Sequence, residues 1–181
     1  MRSGDAALDP HRMHWNNRDR LPLRGIDTLV RLTAASLRGL RLRWAHGALD
    51  VFCPSAMLGD RGKLEQALRQ AWQHQARQDA QRLLAEESAR LGVRHGELRI
   101  ADQKSLWGSC SAEGNISLSW RLVMAPPEVF RYVVVHELCH IRHHDHSDAF
   151  WTLVARQMPD YERHRGWLQD QGARLHVYLT R

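Results

Sequence analysis

The apolar residues of this chain change period along its length, and each change marks an element. In "LRGLRLRWAHGALDVFCP", Leu40, Leu42 and Trp44 alternate with Arg41 and Arg43, and the alternation resumes at Leu49, Val51 and Cys53 after His46-Gly47. A period of two places successive side chains on opposite faces, so residues 28–53 read as β, with a hairpin that has one buried face and ends at Pro54. From 60 to 91 the period lengthens. Leu64, Leu68, Trp72 and Ala76 are spaced by four, the stripe of a long helix that Gly92 stops. That stripe reads as core.

Residues 97–123 return to β character. "ELRIAD" is one short strand, and "NISLSWRLVM" is a second with Ile116, Leu118, Trp120 and Leu122 on one face. The loop "QKSLWGSCSAEG" separates them. Pro126 and Pro127 then open a helix whose first turn holds Glu128, where an acid suits the helix dipole. A further helix covers about 147–157, and Pro159 interrupts the chain before "DYERHRGWLQDQGARL". Hairpin, long helix, sheet, helix, helix is an α+β order, without the strand–helix alternation of a parallel sheet.

The chain has 181 residues, 43% of them hydrophobic, enough for one domain with a core that needs no disulfide. Residues 1–24 read as a flexible tail. Residues 25–181 read as a single domain, with a hairpin and helix at 25–92 and a second part at 93–181. Three cysteines, Cys53, Cys110 and Cys139, form no CxxC pair, and an odd number suggests a reducing compartment. There is no secretory h-region and no apolar run of spanning length, so a cytoplasmic protein with no membrane partner is expected. The net charge is +6, but the basic residues run from Arg2 to Arg181 without a dense block. Solvated arginine faces explain that better than a nucleic-acid surface does.

The chemistry concentrates in "VVVHELCHIRHHDHSDAF", which places five of the twelve histidines between His136 and His146. "HELCH" is an H-E-x-x-H pattern. On a helix His136 and His140 lie one turn apart on one face and can hold a single ion. Glu137, one step round, is poorly placed as a ligand and well placed to take a proton from a metal-activated water. A catalytic zinc usually has three protein ligands, and His146 is the third candidate. The chain must turn after His140 without the glycine that such spacings often use, and Ser147 or Asp148 can cap the next helix. Val133, Val134 and Val135 make the segment look buried, and burying these polar groups without a partner is costly, which favours a metal. His143 and His144 read as exposed neighbours, and Cys139 as a small core residue.

The run "QKSLWGSCSAEGNISLSWRLVMAPPEVFRYVVVHELCHIRHHDHSDAFW", followed by "MPDYERHRGWL", closely resembles the YgjP-like metallopeptidase family, a zincin branch near the SprT and WLM groups. The resemblance covers most of 25–176. The family's Lys-x-x-Trp-Gly-Ser-Cys element is met by Lys104, Trp107, Gly108, Ser109 and Cys110. Where many members carry arginine before the tryptophan, this chain has Leu106. The resemblance implies a zincin-like fold: a small twisted, antiparallel-rich sheet beside the HExxH helix. It also implies one catalytic Zn²⁺ held by His136, His140 and His146, with Glu137 as base. In such folds a sheet edge can pair with an extended peptide, and "NISLSWRL" is the expected edge. Tyr161 is a candidate oxyanion donor, and Lys104 and Arg121 are candidates for an anionic group on the substrate.

The function expected is a zinc metallopeptidase acting on a peptide. One alternative is a metal-dependent hydrolase of a small anionic substrate such as a nucleoside triphosphate. The other is a DNA-associated, SprT-like protein with a structural metal. Nucleic acid is not favoured, because a structural zinc normally has four protein ligands.

Overall fold

Two-residue turns begin the structure. A computed structural model describes residues 12–180. Strands β1 (Arg20–Leu23) and β2 (Ile26–Ala34) pair antiparallel around Arg24-Gly25, both at positive φ. Strands β3 (Arg41–Ala45) and β4 (Ala48–Cys53) pair around His46-Gly47, again both at positive φ. This is the backbone twist that tight hairpins require. β2 runs parallel to β4, so the sheet order is β1-β2-β4-β3.

Helix α1 (Arg61–Leu91) covers this sheet with Leu64, Leu68, Trp72 and Ala76, all fully buried. Asp60 caps its start by accepting from Lys63 N, and Gly92, at φ 62°, ends it in the left-handed conformation. A second sheet, ordered β5-β7-β6, comprises β5 (Leu98–Ala101), β6 (Gly108–Cys110) and β7 (Ile116–Ser119). β5 pairs parallel and β6 antiparallel with β7. Helices α2 (Pro127–Cys139), α3 (Asp148–Gln157) and α4 (Tyr161–Gln171) complete the α+β fold. No helix among the described residues is long and apolar enough to cross a membrane.

Three expectations need correction. The tail expected at 1–24 fails for residues 12–24, while residues 1–11 lie outside those described. Met13 and Leu21 are buried, the Trp72 indole donates to Pro22 O at 2.8 Å, and Arg24 forks onto Asp79 of α1 at 2.8 and 2.9 Å. Arg24 N and Gly25 N also donate to Val123 O and Met124 O. Next, the expected strand over 115–124 breaks after Ser119. Residues Trp120–Met124 form a 3-10 turn, all buried, because the chain dives under α1 instead of continuing along the sheet. Finally, Leu42 and Trp44 share the face of Val51 and Leu49 but remain about a third exposed, since β3 is an edge strand that the helix covers only in part.

Arginine–carboxylate links hold the layers together. Asp50 on β4 meets Arg43 and Arg31 from the two flanking strands, which hold its carboxyl below the usual range. Glu87 on α1, only 1% exposed, receives Arg131 of α2 at 2.7 Å and Gln157 of α3 at 2.6 Å. Replacing Glu87 by alanine strands both donors, and a buried pair broken on one side is expected to cost about 3 kcal/mol. Urea unfolding measures this; a loss under about 1 kcal/mol would assign the α1–α2 junction to apolar packing alone.

Candidate metal centre

Pro127 occupies the first helical position of α2, where a missing N–H costs nothing, and Glu128 follows in the first turn. Val129, Phe130, Val133, Val134, Val135 and Leu138 are buried, which fixes the helix's rotation about its axis. Tyr132, His136 and His140 then fall on one face at intervals of four. The ligand nitrogens of His136, His140 and His146 lie within 4.8 Å of one another, and His136 Nε2 is 3.2 Å from His146 Nε2. Phe150, fully buried, forms the floor: its ring stacks on His140 at 4.4 Å and meets His136 and His146 edge-on at 5.0 and 5.1 Å. Trp151 stacks on His146 at 5.7 Å.

The chain returns His146 to this point without glycine and without any residue at positive φ between 140 and 146. Helix α2 ends by tightening: His140, Ile141 and Arg142 each donate N–H to the carbonyl three residues back. Arg142 then anchors the turn by donating to Leu91 O at 2.8 Å and Gly92 O at 3.2 Å. Ser147 caps α3 by accepting from Phe150 N, which brings His146 immediately before a packed helix start. His143 contributes through its backbone. Its carbonyl accepts from His140 Nδ1 at 3.0 Å, and since a carbonyl only accepts, Nδ1 carries the proton and Nε2 keeps its lone pair.

The donor set fits a metal. Three ring nitrogens converge where His136 and His146 can share at most one N–H, so a cation is what satisfies all three. Burial, followed by the charges of His140, His146 and Arg165, pushes His136 down to about 3, and burial lowers His140 as well. Both rings are therefore neutral, as ligation requires. Imidazole ligands suit zinc or another transition metal better than magnesium or calcium. The group contains three residues among those described, which leaves a coordination position open.

Glu137 stands beside the group and outside it. It is 6% exposed, and burial pushes its carboxyl up to about 7. Strand β6 approaches it closely: a Cβ added to Gly108 would lie 3.0 Å from Glu137 Cγ and Oε1 and 3.1 Å from Val133 Cγ1. The glycine of "WGSC" is thus the space the carboxylate occupies. Burial and then the Glu137 charge raise the thiol of Cys110 on the same strand.

Other sequence candidates land differently. β7 is the central strand of its sheet, so the edge beside Glu137 is β6. Arg121 is buried and serves the fold, donating to Leu175 O at 2.8 Å and Tyr178 O at 2.6 Å and pairing with Asp102. Lys104 is exposed and does not line the cavity at the site. Tyr161 reaches the cluster through its ring, stacked on Trp151 at 5.4 Å and on Tyr132 at 6.3 Å, while its hydroxyl donates to Glu162 at 3.4 Å.

Two residues escaped the sequence reading. Tyr132, buried, places its hydroxyl 3.4 Å from His136 Nδ1; its signal was the interval of four before His136. Arg165 lies over the Trp151 ring at 4.7 Å and lines a cavity of about 340 Å³ together with His136 and Glu137. Its signal was the interval of four after Tyr161.

A search of curated proteins finds no match. Among solved structures, the chain is similar to the metallopeptidase zymogens abylysin of Pyrococcus abyssi (23% identity, TM-score 0.47) and jannalysin of Methanocaldococcus jannaschii (16% identity, TM-score 0.46). Each alignment covers 51% of this chain and 95% of the other. The family described as YgjP-like, metallopeptidase domain, matches residues 5–171. That span reaches back into the first 24 residues, takes in both sheets and all four helices, and includes every histidine of the cluster. The chain therefore belongs to the YgjP-like metallopeptidase domain family.

Proposed function

We propose that the protein is a zinc-dependent peptidase. The observation that carries this reading is the convergence of His136, His140 and His146 within 4.8 Å, with the Glu137 carboxylate beside them and outside the ligand set. A zinc ion held there would acidify a water molecule and polarise the scissile carbonyl. Glu137 accepts the proton of the attacking water at its carboxylate oxygen and passes it to the leaving amine. His140, locked by the His143 carbonyl, and His136, beside the Tyr132 hydroxyl, keep their ring orientations through this cycle. The edge strand β6 offers backbone groups with which an extended peptide can pair next to Glu137. The oxyanion role expected for Tyr161 requires its hydroxyl to exchange Glu162 for the substrate. A structural-metal, DNA-associated role is not favoured, because the group holds three residues.

The test is a screen of the purified, zinc-loaded chain against a mixed peptide library and a panel of nucleoside triphosphates, with and without chelator. Chelator-sensitive peptide cleavage is expected. Phosphoanhydride hydrolysis with no peptide cleaved would overturn the proposal.

Gly108 provides a steric check on the base. Gly108→Ala inserts a methyl against Glu137 Cγ and Oε1 and should displace the carboxylate by a few tenths of an ångström. The expected result is a roughly tenfold or greater loss of kcat with metal content unchanged. Full activity would show that the carboxylate has room to move.

A further inference from the structure

We propose that Arg165 and the apolar cavity beside Glu137 form a specificity site for a carboxylate carried by the residue that enters the cavity. This rests on the peptidase reading and names which peptides it prefers. The cavity, about 340 Å³, opens onto His136 and Glu137 and is walled by Leu106, Trp107, Val133 and Leu168. Its size is at the small end for ligand pockets, room for one substrate residue and not for a long segment. Apolar walls take the body of a side chain, and selectivity then depends on the few polar groups at its border.

Arg165 and Gln169 are those groups besides the site itself. They lie one turn apart on the same face of α4, and both line the cavity. The other arginines that bind the fold together have partners in the chain: Arg24 has Asp79, Arg31 and Arg43 have Asp50, Arg131 has Glu87 and Arg121 has Asp102, while Arg69 and Arg142 donate to backbone carbonyls. Arg165 forms no such ion pair among the described residues, with Glu137 or any other acid, within 4.0 Å. Its guanidinium rests instead on Trp151, which in turn stacks on His146. Stacking holds the planar fork at a fixed height relative to the histidine cluster and leaves its N–H edges free to meet a carboxylate in two-point fashion. A point charge on a flexible stem would not be positioned in this way.

A carboxylate can come from the end of a peptide or from an acidic side chain, and the experiment separates the two. Zinc-loaded protein is given peptides of one sequence ending in a free carboxylate or in an amide, and peptides with Glu or Gln following the cleaved bond. The carboxylate forms are expected to show kcat/KM higher by roughly ten- to hundred-fold, the range of a charge-assisted pair. Preference for the free terminus assigns the α-carboxylate, and preference for Glu over Gln assigns the side chain; either supports the site. Arg165→Ala should abolish the preference and Arg165→Lys should restore part of it. Arg163→Ala, an exposed neighbour on the same helix that does not line the cavity, should leave it intact.

A second arm does not depend on turnover. Tryptophan fluorescence of the metal-free protein should report tighter binding of 3-phenylpropionate than of 3-phenylpropionamide, and Arg165→Ala should erase the difference. Peptides cleaved without carboxylate preference, or equal binding of acid and amide, would overturn this inference and leave the peptidase reading standing. If no peptide is cleaved at all, the peptidase reading fails, and the binding arm alone decides the carboxylate site: a preference for the acid that Arg165→Ala erases supports it, and equal binding overturns it.

Discussion

Glu137→Gln is expected to retain the metal and lose hydrolysis by roughly 10²–10⁴-fold, the usual worth of a positioned general base. Glutamine keeps the shape of the side chain, and this matters because Gly108 of β6 lies close against it, with no room for a methyl between them. The amide cannot accept the proton of the attacking water. Glu137 is outside the ligand group, so metal content should equal that of the unaltered protein. Turnover against peptides, paired with metal analysis of the same samples, reads both quantities. Unchanged turnover would remove Glu137 from the mechanism. Loss of the metal together with activity would instead make it a ligand.

His146→Ala is expected to weaken metal binding by more than about 100-fold, beyond the effect of losing an outer partner of a ligand. His146 is the most exposed of the three, and its ring is held by Trp151 and by the edge of Phe150. Removing it leaves two ligands, too few for a stable site. The fold should survive, because His146 contributes a ring at the surface and the Phe150 floor remains. His143→Ala is the contrasting variant. Its backbone carbonyl still accepts from His140 Nδ1, so metal content should persist. Full metal in His146→Ala, or its loss in His143→Ala, would reassign the third ligand.

The histidine cluster was largely legible because helical spacing is a local property. His136 and His140 are four apart, and the buried valines ahead of them, together with Pro127 at the helix start, placed them on a helix whatever the rest of the chain did. The turn from His140 to His146 was less legible. Its shape comes from 3-10 tightening and from Arg142 reaching back to the end of α1, some 50 residues earlier in the chain. Arg121 and Arg165 show the same divide. Nothing local distinguishes an arginine that clamps carbonyls at the C-terminal end of the chain from one that faces a cavity, because that difference lies in what the distant chain brings up against each.

What the sequence determined by itself was therefore whatever period and capping control: the long helix α1 with its stripe of Leu64, Leu68, Trp72 and Ala76, the His46-Gly47 hairpin, the start of α2, and the pairing of His136 with His140. Tertiary structure decided the rest. It placed β6 and not β7 at the edge by the open site, held Asn17 and Asp19 on β2 and Pro22 and Arg24 on α1, broke the strand at Trp120, put Gly108 against Glu137, and left Arg165 facing the cavity. The physical reason is range. Side-chain direction along a helix or strand follows from backbone geometry over a few residues, whereas strand order, burial and the lining of a cavity depend on contacts between segments far apart in the chain, which no local pattern encodes.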